Sequence, residues 1–173
     1  LDDETNTRDE RLMRAKVNGK LLDDVNLDLT VSQINLDNGY DAFSLDNKRD
    51  TLSDQPGSDE QDSKLFSANI TVSRFKNFTF NALLGFGDSR TEYSYDEDWV
   101  YDGFHPWGYS STDQYNRDRR TGSNEFRFTS SEEGKILFDT TDWVFGVYSL
   151  QQEVNLERIY SFLSDDFTSN YDT

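Results

Sequence analysis

Residues 78–87 read FTFNALLGFG. Apolar side chains occupy every second position from Phe78 to Phe86, whereas the positions between them hold Thr, Asn, Leu and Gly. Successive side chains of a strand point to opposite faces of its sheet, so a repeat of two residues indicates a strand with one apolar face. This stretch therefore predicts a long β-strand whose two faces meet different surroundings.

The same alternation recurs along the chain, and signals for helices are almost absent. Five further stretches have it, namely residues 13–21, 25–36, 66–73, 125–130 and 141–152. In the second of them the phase slips near Gln33, which predicts a β-bulge. We therefore predict an all-β chain of about six antiparallel, up-and-down strands.

The predicted connections alternate in length. Short links at 20–24, 74–77 and 131–140 alternate with long polar stretches at about 37–63 and 88–120, and a polar end follows at about 155–173. The short turns then share one edge of the sheet and the long loops the other, as in outer-membrane barrels. The sequence thus predicts a partial transmembrane β-barrel over residues 1–173, with Phe75, Phe78 and Trp143 suited to an aromatic girdle.

Composition narrows the possible functions. The hydrophobic share is only 34% but aromatic residues reach 14%, a pairing that polar strands with one apolar face explain. A net charge of −17 argues against a nucleic-acid partner, because phosphate binding needs clustered Lys and Arg. The chain has no cysteine and one histidine, and its paired carboxylates sit in polar stretches. We therefore predict that it is not an enzyme and uses neither a cofactor nor a metal ion.

Four segments resemble parts of a known family. Residues 38–57, NGYDAFSLDNKRDTLSDQPG, resemble an extracellular loop in the barrel of TonB-dependent outer-membrane receptors. Three more segments are similar to barrel segments of that family: YSYDEDW at 93–99, NEFRFTSSEEG at 124–134 and TDWVFGVYSLQQE at 141–153. The resemblance implies a receptor of around 22 strands closed about an N-terminal plug.

Membership of that family would imply both a cellular location and a function for the chain. It implies a location in the bacterial outer membrane and the import of a scarce nutrient, namely a siderophore, a cofactor or a glycan. The implied partners are outer-membrane lipid and lipopolysaccharide, and the receptor's small-molecule or glycan substrate. The sequence shows no plug, no energy-coupling box and no terminal strand ending in an aromatic residue. We therefore expect an internal portion of the barrel, which meets TonB only through parts of the receptor outside this sequence.

One loop is rich in aromatic residues. Residues 99–109 read WVYDGFHPWGY and supply our candidate ligand-binding residues Trp99, Tyr101, Phe104, His105, Trp107 and Tyr109. Their ring faces can stack on sugars or planar ligands, and the Tyr hydroxyls and His105 can orient polar groups. The loop can also pack on itself. An alternative function is a soluble, secreted β-sandwich that binds carbohydrate through residues 99–109.

Overall fold

The computed structural model describes residues 5–41, 43–48 and 50–173. They form one antiparallel sheet in which each strand pairs with its neighbours in the chain. The seven strands are β1 (Glu10–Leu22), β2 (Val25–Tyr40), β3 (Gly57–Val72), β4 (Phe78–Asp96), β5 (Ser111–Ser130), β6 (Val144–Phe162) and β7 (Asp165–Asp172). The predicted all-β, up-and-down, antiparallel architecture is therefore confirmed.

The number and length of the strands differ from the prediction. β7 lies in the predicted polar end and makes seven strands instead of six. The loops shrink to 41–56 and 97–110, because β3, β4 and β5 continue far beyond their alternating parts. In these extensions both faces carry polar or aromatic side chains. The alternation of apolar and polar residues that indicates a strand in the sequence is therefore missing. Backbone pairing with the neighbouring strand nevertheless continues.

The two edges of the sheet are less different than predicted. At the turn edge the connections are 23–24, 73–77 and 131–143, and at the loop edge they are 41–56, 97–110 and 163–164. The last loop-edge connection is thus a two-residue turn, whereas the sequence predicted a long polar end. The third turn-edge connection is nearly as long as the loop at 97–110, and it contains one turn of 3₁₀ helix, Glu132–Gly134.

The predicted bulge at Gln33 is wrong. β2 pairs with both neighbours through Gln33 without a break, and the one register shift of the β1–β2 pair lies between Lys20 and Leu22. The phase slip in the sequence has another cause. Apolar residues of β2 occupy one face up to Val31 and the opposite face at Ile34 and Leu36.

The sheet has two distinct faces, which the cross-strand register defines. We call the side that carries Phe80 the front face and the side that carries Asn81 the back face. Near the turn edge the front face carries an apolar band formed by Met13, Ala15, Val17, Val25, Leu27, Leu29, Val31, Phe66, Ala68, Ile70, Val72, Phe78, Phe80, Ala82, Leu84, Phe86, Phe126, Phe128, Phe145 and Val147. The band is complete on β2, β3 and β4 and narrows to two side chains each on β5 and β6.

The apolar band ends sharply toward the loop edge. On β4 the front face changes from Phe86 to Asp88, Arg90 and Glu92. The back face is mostly polar near the turn edge and becomes aromatic near the loop edge. Among the described residues, the buried hydrophobic ones are Ala68, Ala82 and Val100 alone. This single sheet therefore encloses no hydrophobic core of its own.

Aromatic rings line the turn edge of the apolar band. Phe75 stacks on Phe78 at 4.5 Å between ring centroids, and the ring of Phe78 lies 5.6 Å from Phe128, which in turn lies 6.3 Å from Phe145. Trp143 also lies at this edge, where its indole Nε1–H donates to the carbonyl oxygen of Gly134 at 2.8 Å. No helix in the described part of the chain combines the length and hydrophobicity needed for a membrane crossing.

Two strand glycines offer a test of this packing. A Cβ at Gly57 would overlap the carbonyl oxygen of Ser94, whereas a Cβ at Gly122 would meet no atom within 4 Å. We expect Gly57→Ala to lower the free energy of unfolding by about 1–3 kcal/mol, because the backbone at Ser94 must shift to make room for the new methyl group. Gly122→Ala should be neutral or slightly stabilising, because it restricts the unfolded chain. Urea unfolding of the two variants measures both effects, and equal destabilisation would contradict the register at Gly57.

Candidate ligand site

The predicted ligand-binding residues do not form one surface. They lie in the 97–110 loop between β4 and β5, where edge-to-face contacts link Tyr101 to Phe104, Phe104 to His105 and His105 to Tyr109. The side chain of Trp107 is 89% exposed. Much of the loop thus packs on itself, which was the second possibility that the sequence left open.

Trp99 departs from the rest of the loop and turns toward the sheet. Its backbone has a φ of 62°, and its indole stacks on the ring of Phe43 with 4.9 Å between centroids and 6° between planes. Phe43 belongs to the 41–56 loop, so this stack joins the two long loops. Phe43 also lies 5.6 Å from Tyr95 of β4.

Trp99 and Phe43 are part of a larger set of rings on the back face. This aromatic cluster consists of Tyr40, Phe43, Tyr93, Tyr95, Trp99 and Tyr115. Tyr93 and Tyr95 share a face because they are two residues apart in β4, and the register places Tyr115 of β5 opposite Tyr93. The rings of Tyr40 and Tyr93 lie 4.9 Å apart. Three strands and both long loops therefore contribute to one aromatic surface.

A buried ion pair lies beside the aromatic cluster. Asp113 of β5 is 1% exposed, and its carboxylate accepts from Nε and a terminal nitrogen of Arg158 at 2.8 and 2.7 Å. The hydroxyls of Tyr115 and Tyr95 donate to the same carboxylate at 2.9 and 3.4 Å. The guanidinium of Arg158 also sits over the rings of Tyr115 and Tyr160, 5.4 and 5.7 Å from their centroids. Such contacts hold the Tyr side chains in place.

These contacts determine the charge of the site. Burial alone would raise the pKa of Asp113, but the hydrogen bonds from Arg158 and Tyr115 outweigh burial and lower it. Burial is also the main reason why the pKa values of Tyr93 and Tyr95 are raised. The hydrogen bond that Tyr109 donates to Glu97 raises the pKa of Tyr109 to about 12. At neutral pH the site thus presents neutral phenols around a compensated ion pair.

The aromatic cluster borders an open cavity of about 590 Å³, lined by Phe43, Thr91, Tyr93, Tyr95, Glu97, Trp99, Tyr115 and Arg117. This volume lies within the range of small-molecule sites. Ring faces in its wall can stack on a flat or sugar-like ligand, while Glu97 and Arg117 can orient polar groups. A smaller cavity of about 370 Å³ lies between Tyr109 and Phe162 and includes His105 and Trp107.

Of the candidate residues predicted from sequence, only Trp99 lines the larger cavity. Tyr93, Tyr95 and Tyr115 flank the predicted loop in sequence. The spacing of two residues between Tyr93 and Tyr95 was a signal that both rings lie on one face of a strand. Arg158 follows Asp113 by 45 residues, and nothing in the local sequence connects the two. In the described part of the chain, no three His, Asp or Glu side chains converge as metal ligands.

Comparison with known proteins identifies no family for this chain. The sequence matches no family model and no curated protein, and the fold matches no solved structure.

The ion pair at Asp113 predicts a large difference between two Arg variants. Arg158→Met leaves a fully buried carboxylate without its cation, whereas Arg90→Met removes the partner of Asp118, whose side chain is 58% exposed. We expect Arg158→Met to lower the urea midpoint at pH 7 at least about twice as much as Arg90→Met does. An unpaired buried carboxylate is costly, whereas an exposed ion pair contributes little to stability.

The same pair predicts the pH at which this difference disappears. Because folding lowers the pKa of Asp113, the ion pair stabilises the fold above the unfolded carboxyl pKa of about 3.9. That contribution is lost as the pH falls through the lower folded pKa. The two variants should therefore converge in strong acid. Equal midpoints at pH 7 would show that Arg158 does not compensate Asp113.

Proposed function

We propose that this chain is a portion of the barrel wall of a TonB-dependent outer-membrane receptor that imports a scarce nutrient. The observation that carries the proposal is the apolar band, which is confined to one face and to the half of the sheet next to the turn edge. The four family-like segments at 38–57, 93–99, 124–134 and 141–153 support the choice of family.

The height of the apolar band fits a bilayer. From Phe78 to Phe86 the strand rises about 26 Å, and a tilted barrel strand crosses the hydrocarbon core with about 9–11 residues. The band's large side chains are exposed, for example Val31 at 54% and Phe86 at 52%. Because about half of each such side chain is already covered, covering the rest is worth roughly 1 kcal/mol for each. Lipid would supply this cover along the whole apolar band.

The aromatic rings around Phe75 and Phe78 lie where an interfacial girdle would lie, at the turn-edge end of the band. At its other end the charged side chains of Asp88 and Arg90 would stand at the level of lipid headgroups and lipopolysaccharide. A soluble β-sandwich would need a second sheet against the apolar band. The described residues form a single sheet, so we favour the barrel wall.

In this arrangement the back face borders the barrel lumen and the loop edge lies outside the cell. The aromatic cluster would then line the outer mouth of the lumen, where an incoming nutrient first meets the receptor. The acidic surface of a chain with a net charge of −17 disfavours strongly anionic cargo. Stacking surfaces beside polar groups suit a neutral glycan or a planar cofactor better.

Adjacent leucines test the lipid-facing role. Leu83 and Leu84 are both 37% exposed, but they lie on the back and the front face respectively. With the sheet in a bilayer, Leu84→Arg should cost about 2–4 kcal/mol, because it places a cation in hydrocarbon. Leu83→Arg should be tolerated, since it faces the lumen opposite Glu125. Urea unfolding from lipid vesicles measures both costs.

Two outcomes of the leucine experiment would count against the proposal. Equal costs for the two Arg variants would show that the front face does not contact lipid. Cooperative folding of the chain as a monomer without detergent or lipid would show that the apolar band is covered in another way.

Ligand binding at the aromatic cluster can be measured through Trp99. We expect a neutral oligosaccharide from a mixed panel to change the Trp emission of the chain. Tyr95→Ala should raise the Kd up to about tenfold, because one stacked ring contributes about 0.5–1.5 kcal/mol. Tyr148→Ala is the control, since Tyr148 lies on the same face near the turn edge and is 61% exposed. Equal Kd values for the two variants would place the ligand elsewhere.

A further inference from the structure

The loop edge contains a concentration of buried oxygen atoms without partners. Four buried side-chain oxygens in the described residues lack a hydrogen-bond partner, and three of them are Ser53 Oγ, Asp96 Oδ2 and Asp98 Oδ2. Ser53 and Asp96 are each 5% exposed, and Asp98 is 8% exposed. Burying a carboxylate oxygen without a partner is costly, so this concentration requires a compensating group.

The two carboxylates are held in place by their other oxygens. Asp96 Oδ1 accepts from the backbone N–H groups of Asp98 and Trp99, both at 3.2 Å, and Asp98 Oδ1 accepts from the N–H of Val100 at 3.3 Å. Each side chain thus uses one oxygen to shape the start of the 97–110 loop. The N–H of Asp98 is itself one of the donors to Asp96, so the two carboxylates belong to the same turn of the chain.

Nothing in the described chain neutralises this pair. None of the ion pairs between described residues includes Asp96 or Asp98. The carboxylate of Asp98 is thus buried beside that of Asp96, without a compensating positive charge in the described residues. Two adjacent buried carboxylates of this kind favour a bound cation.

We propose that Asp96 and Asp98 bind a calcium ion through their free Oδ2 atoms, together with neutral oxygens of the surrounding loops. Calcium takes six to eight oxygen ligands and accepts carboxylates, hydroxyls, backbone carbonyls and water in irregular geometry. Ser53 Oγ is a buried neutral oxygen without a partner, and it belongs to the 41–56 loop, whose next residue, Asp54, accepts from Asp102. Magnesium fits less well, because it demands octahedral geometry and keeps much of its water.

With two carboxylates and no convergent third, the site has few charges for a calcium site. Affinity for calcium rises with the number of charged ligands, so the Kd should fall near the weak, extracellular class of about 10⁻⁴–10⁻³ M. Such an affinity suits a site that is filled outside the cell.

The ion would join the two long loops where they already touch. Asp54 Oδ2 accepts from the backbone N–H of Asp102 at 2.7 Å, and the Gln55 side chain donates to Ser110 Oγ at 2.9 Å. Trp99 follows Asp98 directly and stacks on Phe43. Calcium at this point would fix the position of Trp99. The site stands on its own contacts and does not depend on membrane insertion or on transport.

Terbium luminescence tests the proposal directly, because Tb³⁺ prefers the same oxygen ligands and is sensitised by a nearby indole. The 173-residue chain, folded in detergent micelles, should show saturable Trp-sensitised emission at pH 7.5. Calcium should displace terbium at millimolar concentration, and magnesium should need at least about tenfold more. Calcium should also raise the thermal midpoint of the unlabelled chain, as any ligand of the folded state does.

Matched variants locate the ion. Asp96→Asn and Asp98→Asn each keep the oxygen that accepts backbone N–H groups and remove one charge, so both should fold. We expect each to weaken calcium binding at least about tenfold. Asp165→Asn removes the same charge from the exposed first residue of β7 and should bind like the parent chain.

Three results would overturn the proposal. If calcium changes neither terbium emission nor the thermal midpoint of the parent chain, the carboxylates share a proton instead of an ion. If Asp165→Asn weakens binding as much as Asp96→Asn does, the ion is held by diffuse surface charge. If magnesium binds as tightly as calcium, the choice of ion is wrong. Circular dichroism of each variant confirms that its sheet content is unchanged.

Discussion

The backbone hydrogen-bond ladder between neighbouring strands is the constraint on which the rest of this structure depends. β4 and β5 pair without a slip from Phe78 opposite Ser130 to Asp96 opposite Thr112. Because side chains alternate between faces, a slip of one residue would move every side chain of a strand to the other face. The uninterrupted register is therefore what gathers the apolar band on the front face and the aromatic cluster on the back face.

The ladder also explains how strands continue where their side chains give little support. In the half of the sheet near the loop edge, the exposed cross-strand pairs Asp88–Arg120 and Arg90–Asp118 measure 3.4 and 2.9 Å. Pairs of this kind contribute little to stability. The backbone bonds and the buried contacts of Asp113 hold this half together. The contacts of Asp113 also hold Tyr95 and Tyr115 of the aromatic cluster in place.

Sequence reasoning succeeded where side chains alternate and failed where they do not. The alternation around Phe78–Phe86 located β4 correctly, as it did for the apolar parts of its neighbours. β7 was missed because a short polar strand contains no such contrast and forms through pairing with β6. The partnership of Asp113 with Arg158 depends on the β5–β6 register, which no local pattern specifies.

In the candidate site, too, some features could be predicted from the local sequence and others depend on how the chain folds. The aromatic composition of 99–109 drew attention to a loop that contacts the aromatic cluster through Trp99, but it could not say which rings meet. Trp99 reaches the sheet because the buried carboxylates of Asp96 and Asp98 bind the backbone N–H groups at the loop's start. Trp107 has no comparable anchor and remains in solvent. A buried acidic turn thus decides which aromatic residue of the loop joins the aromatic cluster.

The placement of the site follows from the apolar band. A face that carries exposed Phe and Val side chains over about 26 Å cannot also present a polar ligand surface at that height. The polar extensions of β2, β4 and β5 carry the aromatic cluster beyond the band and on the opposite face. Charged and phenolic groups that would be costly in hydrocarbon are there surrounded by water and protein. In the proposed barrel wall, the length of the strands, well beyond what the band requires, would let one sheet combine a lipid-facing wall with a polar binding surface.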